Sequence, residues 1–65
     1  MTRPFTDLEL ARCAEREAKI RRRVYPNRVM TGRMNQAQAE REIAMMQQIA
    51  RDYLAKAVLP LGEPA

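Results

Sequence analysis

The chain has no histidine and no tryptophan, and only one cysteine, two glycines and one phenylalanine among its 65 residues. Each shortage removes a class of answer. One cysteine cannot close an internal disulfide, and a lone thiol without histidine supplies no zinc ligand set. Without histidine there is no ready proton shuttle near neutral pH. There is also no nucleophile elbow, no glycine-rich phosphate loop and no pair of carboxylates on one obvious pocket wall. Glu40 and Glu42 stand two apart on a helical pattern and so face different ways. The expectation is a protein that binds rather than catalyses, with no cofactor and no metal. No apolar run approaches the ~20 residues a bilayer requires, and no segment reads as a secretion signal, so no membrane partner is expected. A free Cys13 suits a reducing cytoplasm, and its place in the pattern reads as a small buried hydrophobe.

A chain this short buries only about 60% of the surface its unfolded form exposes. With disulfides and zinc excluded, association is the remaining staple, and a two-fold homodimer is the simplest form of it.

The residues that are present write helices. Thr6 and Glu9 have the T-x-x-E spacing of a capping box, and Phe5 and Leu10 can close a hydrophobic staple over it. The pattern predicts a helix over about 7–24, ended by Tyr25, which precedes Pro26 and is pushed away from α geometry. Pro26 can open a short helical elbow over 26–31, with Val29 and Met30 inward and Gly32 as its left-handed terminator. Asn35 then caps a second long helix over about 36–58, with Gln38 placed to complete an amide capping box. Pro60 and Gly62 stop it, and a frayed tail is expected over 59–65. The fold class is all-α: an antiparallel helical hairpin with a short elbow between two long helices, as a dimer.

On the first helix Leu10, Cys13, Ile20 and Val24 follow the inward rhythm, with Glu17 at the missing step. An inward carboxylate needs a partner. Glu17 either reaches solvent or pairs with Arg21 one turn on, or else it pairs with an arginine across the hairpin or dimer and sets register. On the second helix Ile43, Met46, Ala50, Tyr53 and Ala57 form the main stripe, widened by Ile49 and Leu54. A thin stripe against a broad one leaves apolar surface at Met45, Ile49 or Leu54 for a second copy or a partner. Met30, Met34, Met45 and Met46 fit either core filling or an adaptable docking surface.

The charge is uneven. Residues 1–34 carry nine Lys/Arg against four Asp/Glu, and residues 35–65 three against four. The stretch RRRVYPNR, 21–28, is the densest part. Cations at a helix C-terminus are favoured by the dipole, which accounts for some of it. Arg28 and Arg33 lie beyond the expected helix end and keep the basic character. Arg21, Arg22, Arg23, Tyr25, Arg28 and Arg33 are therefore the candidate binding residues, since arginine beside an aromatic serves both phosphate recognition and protein interfaces. Ile43, Met46, Ile49, Tyr53 and Leu54 are the candidate oligomer or partner face.

The run EAKIRRRVYPNRVMTGRMNQAQAEREIAMMQQIARDY, from Glu17 to Tyr53, resembles a family of short bacteriophage and prophage proteins. The shared pattern is E-x-x-x-R-x-x-V-Y-P, then G-[RK]-[ML]-x-x-x-x-A-x-x-E, then I-x-x-M and D-Y. Here it falls on Glu17, Arg21, Val24, Tyr25, Pro26, Gly32, Arg33, Met34, Ala39, Glu42, Ile43, Met46, Asp52 and Tyr53. The family carries no assigned activity, so the resemblance implies a context: small phage accessory proteins act by binding, in the cytoplasm of the bacterial host. They blunt a host defence, redirect a host enzyme or regulate phage genes. A host protein is the expected partner. Nucleic acid or a nucleotide held by the basic patch is the alternative, and a structural or assembly role is the third reading.

Overall fold

The computed structural model describes residues 4–58, and its first helix opens as the capping box requires. The Thr6 hydroxyl accepts from the Glu9 N–H at 3.0 Å, and the Glu9 carboxylate accepts from the Thr6 N–H at 3.2 Å. From there α1 runs Asp7–Met30 and α2 runs Gln36–Ala57. Among the described residues there is no strand, and the two helices pack against each other as a hairpin. Only residues 31–35 connect them, so they lie antiparallel. The expected frayed tail over 59–65 lies outside the described residues.

The expected elbow is not a separate element, because α1 continues through Pro26 to Met30. Proline has no N–H to give the Arg22 carbonyl, and its ring crowds that carbonyl, at a cost of about 3 kcal/mol inside a helix. The bias against α geometry at the residue before proline is local, and tertiary contacts can outweigh it. Here Tyr25 is buried against α2 and its hydroxyl donates to Glu42 at 3.1 Å. Those contacts need Tyr25 at a helical position. Met30, expected inward, is 84% exposed on the extended last turn, and Val29 is half-buried.

Gly32 does end the helix in the left-handed region, at φ 79°. The Arg33 N–H donates to the Arg28 carbonyl at 2.8 Å and the Gly32 N–H to the Val29 carbonyl at 3.1 Å, a complete Schellman ending. A Cβ on Gly32 would meet nothing within 4 Å, so the penalty of Gly32→Ala is purely conformational. It should destabilise the hairpin by about 1 kcal/mol, read as a fall of roughly 4–8 °C in Tm by circular dichroism.

Asn35 caps α2, its side-chain oxygen accepting from the Gln38 N–H at 2.7 Å. The reciprocal half of the expected box is missing. Gln38 instead donates to the Glu42 carboxylate at 3.4 Å, one turn further on.

The packing face of α1 differs from the expected one. The buried residues are Ala11, Ala14, Ala18 and Tyr25, a stripe rotated by one residue from Leu10, Cys13, Ile20 and Val24. Cys13 is exposed and Ile20 is 43% exposed, so the thiol is not a core residue. The physical reason is size. An alanine row lets α2 approach closely along the full helix length, whereas the larger residues are interrupted by Glu17, whose burial would be costly. On α2 the stripe holds better. Ala39 is buried, Ile43, Met46, Ala50 and Tyr53 are half-buried, and Ala57, Ile49 and Leu54 are exposed. Met45 points outward while Met46 packs inward, as adjacent helical residues must.

Candidate binding surface

The arginine cluster divides into cations held by the fold and cations left free. Arg21 is held. Its Nε donates to the Glu17 carboxylate at 3.1 Å and its Nη1 donates to the Glu42 backbone carbonyl on α2 at 3.3 Å. Glu17 therefore pairs one turn along its own helix, and Arg21 is the residue that crosses to the neighbour. Tyr25 is held as well, with the Arg21 and Arg28 guanidiniums 5.9 and 5.6 Å from its ring centroid. Burial, then the hydrogen bond to Glu42, pushes the Tyr25 phenol above its ordinary value of 10.0, against the opposing pull of Arg21 and Arg28. Tyr25 is thus a structural tyrosine at the helix crossing, and its hydroxyl is spent inside the chain.

Of the six candidate binding residues, the structure brings Arg21, Tyr25 and Arg28 together and separates the other three. Arg22 lies on the opposite side of the hairpin, in a shallow groove with Glu15, Ala18, Gln47, Ala50 and Arg51. Arg23 faces away from α2, and Arg33 sits in the connection. The polar residues opening α2 are also committed, with Asn35 capping, Gln36 donating to Glu40 at 2.7 Å and Gln38 bonded to Glu42.

The acids explain which cations stay free. Every described carboxylate has a partner inside the chain. Glu9 serves the cap, Glu15 meets Lys19 at 3.6 Å, and Glu17 and Glu42 serve the Arg21–Tyr25 network. Glu40 and Asp52 accept from Gln36 and Gln48, and Asp7 also has an interaction partner. By contrast, Arg12, Arg16, Arg22, Arg23 and Arg33 are exposed and make no side-chain hydrogen bond or ion pair among the described residues.

Three of those arginines form a row. At roughly 100° per residue, Arg12, Arg16 and Arg23 share the face of α1 turned away from α2, with Lys19 beside them. The row spans ~16 Å at 1.5 Å per residue. Ile20 is 43% exposed between Arg16 and Arg23 on the same side of the helix. Arg12 with Arg16, and Lys19 with Arg23, are like charges one turn apart, which destabilises a helix by a few tenths of a kcal/mol per pair. Only Lys19 has an acid to offset this, through an exposed pair of small worth. Two members of this row, Arg12 and Arg16, were not among the candidates from the sequence. The sequence already places them with Arg23 on one side of the first helix, with Lys19 beside the row, but the candidates were taken from the dense run at 21–28, part of which the fold uses for itself.

The candidate partner face also divides. Ile43, Met46 and Tyr53 are half-buried in the hairpin, with the Lys56 ammonium 4.9 Å from the Tyr53 ring centroid, while Ile49 and Leu54 remain 41% and 44% exposed. Among the described residues no group of histidine, cysteine and carboxylate side chains could hold a metal ion, and no helix is long and apolar enough to cross a membrane. Compared with protein-family models, curated proteins and solved structures, the chain matches none.

Proposed function

We propose that this chain is a non-enzymatic accessory protein of the bacteriophage type, which binds a host macromolecule through the outer face of α1. The observation that supports this is the unpaired row Arg12, Arg16 and Arg23 around the exposed Ile20. Arg12, Arg16 and Arg23 set like charges one to two turns apart with no acid paired to them among the described residues, and a ligand supplies what is missing. Arginines around an aliphatic anchor match the composition of protein–protein hot spots, where the guanidinium and its stem add both charge and contact area. The partner is accordingly a host protein with an acidic patch surrounding a small apolar recess. Blunting a host defence or redirecting a host enzyme is the corresponding outcome of binding.

The test is capture from bacterial lysate by the tagged chain, with and without nuclease. A nuclease-resistant protein should co-purify. Ile20→Ser should weaken its binding about tenfold, and joint replacement of Arg12, Arg16 and Arg23 by glutamine should abolish it. Capture that nuclease removes, is insensitive to Ile20→Ser and falls steeply with salt would overturn the protein-binding reading. It would establish the nucleic-acid alternative, since duplex contacts give a log–log salt slope of about −0.9 per phosphate.

A further inference from the structure

The side of the hairpin that carries the Arg21–Glu42 network is distinct from the outer basic face. On α1, Leu10, Glu17, Arg21, Val24 and Arg28 fall on one flank of the alanine stripe. On α2, Glu42, Met45 and Ile49 fall on one flank of the Ala39–Met46–Ala50 stripe. The hydrogen bonds from Arg21 and Tyr25 to Glu42 join these two flanks, so they form one continuous surface. Met45 is 47% exposed and Ile49 41% exposed on its α2 part, and Leu10 and Val24 are half-buried on its α1 part.

We infer that a second copy of this chain packs on this side, with Met45 and Ile49 at its centre, to give a four-helix assembly. Three observations argue for a copy of the chain itself. The first is apolar surface. Met45 and Ile49 are among eight large hydrophobic side chains that stay exposed in the described residues, more than one small hairpin can cover for itself. The second is the core. No large side chain of the described hairpin is fully buried, and four of its five buried residues, Ala11, Ala14, Ala18 and Ala39, are alanines. A hairpin with so little interior gains its stability from association, and its own copy is present wherever it is made.

The third observation is charge. Glu17, Glu42 and Asp52 balance Arg21, Arg28 and Lys56 on this side, so two identical copies meet without net repulsion. The uniformly positive row Arg12–Arg16–Arg23 forbids the same on the outer face of α1. On the opposite side, Arg22 and Arg51 flank the groove with Glu15 as its only acid. Pairing on the Met45–Ile49 side leaves both basic rows open. The inference stands apart from the proposed function, because its readout is mass and needs no ligand.

Sedimentation equilibrium of the whole chain tests it. The wild type should sediment at twice the chain mass at micromolar concentration, and its Tm should fall on dilution. Met45→Glu with Ile49→Glu should lower the association constant by at least 100-fold. Leu54→Glu, equally exposed on the other flank of α2, should remain dimeric. A wild type of single-chain mass whose Tm is independent of concentration overturns the inference, even if the double variant fails to fold. So does dissociation by Leu54→Glu while the Met45/Ile49 variant stays dimeric.

Discussion

Tyr25→Ala should lower Tm by on the order of 15–20 °C, the largest loss expected from any single truncation in the hairpin. Among the described residues the ring is one of five buried side chains, and the only large one. It lies beneath the turn in which Pro26 has removed a helical hydrogen bond, and both Arg21 and Arg28 rest on it. Without it, the segment after Val24 loses its reason to stay helical, and the local preference of the residue before proline prevails. Far-ultraviolet circular dichroism should therefore show α1 shortened by about a turn and a half as well as a lower Tm. Tyr25→Phe keeps the packing and loses only the hydroxyl, so a fall of about 5 °C is expected. Equal effects from the two variants would show that the Glu42 hydrogen bond, and not the ring, holds the turn.

The same residue sets the alkaline limit. Its folded phenol titrates above 10.0, whereas the unfolded phenol titrates near that value. Above pH ~10 the unfolded chain releases a proton that the folded chain still holds. The stabilisation is thus complete below that pH and is lost as pH rises through the folded value. In a Tyr53→Phe background, the phenolate absorbance reports Tyr25 alone. Its midpoint should lie above 10 in buffer and return to about 10 in denaturant. An unchanged midpoint in buffer would remove the buried hydrogen bond from the account.

Ala18→Leu should destabilise the hairpin by about 1–3 kcal/mol, although leucine is nearly as good a helix former as alanine. Ala18 is 2% exposed and sits mid-way along the stripe that faces α2, where a larger side chain presses against the close approach of the two helices. The helices must separate, and Ala11, Ala14 and Ala39 lose contact with their neighbours. Ala44→Leu makes the same chemical change on an exposed position of α2 and should stay within ±0.5 kcal/mol. Urea unfolding at fixed protein concentration measures both. Similar midpoints for the two variants would return the packing face to Leu10, Cys13, Ile20 and Val24.

Which parts of this were legible beforehand follows from the range of the interactions involved. Thr6 and Glu9 bond to each other, Asn35 bonds to the Gln38 N–H, and Gly32 takes the backbone conformation only glycine adopts freely. Each is settled within one turn of chain, so the helix starts, the Gly32 turn and the all-α hairpin could be read directly. So could the surplus apolar surface, because Met45, Ile49 and Leu54 exceed what a thin partner helix can cover. The face α1 presents was not local. Hydrophobicity favoured the larger side chains, but closeness of approach favoured the alanines, and only the second helix decides between them.

The same holds for Pro26 and the arginines. A proline within a basic run reads as a break, and it became a helical residue because Tyr25 packs against α2 and its hydroxyl donates a hydrogen bond to Glu42, seventeen positions away. That contact, together with the Arg21 bond to the Glu42 carbonyl, also determined which cations are structural and which are free. By itself, then, the sequence determined two capped helices joined at a glycine and a net positive charge, since each depends on composition or on neighbours along the chain. Tertiary structure alone decided the helix face, the persistence of α1 through Pro26 and the location of the unpaired charge. The reason is physical: burial and ion pairing depend on what stands across the interface, and no local pattern encodes that.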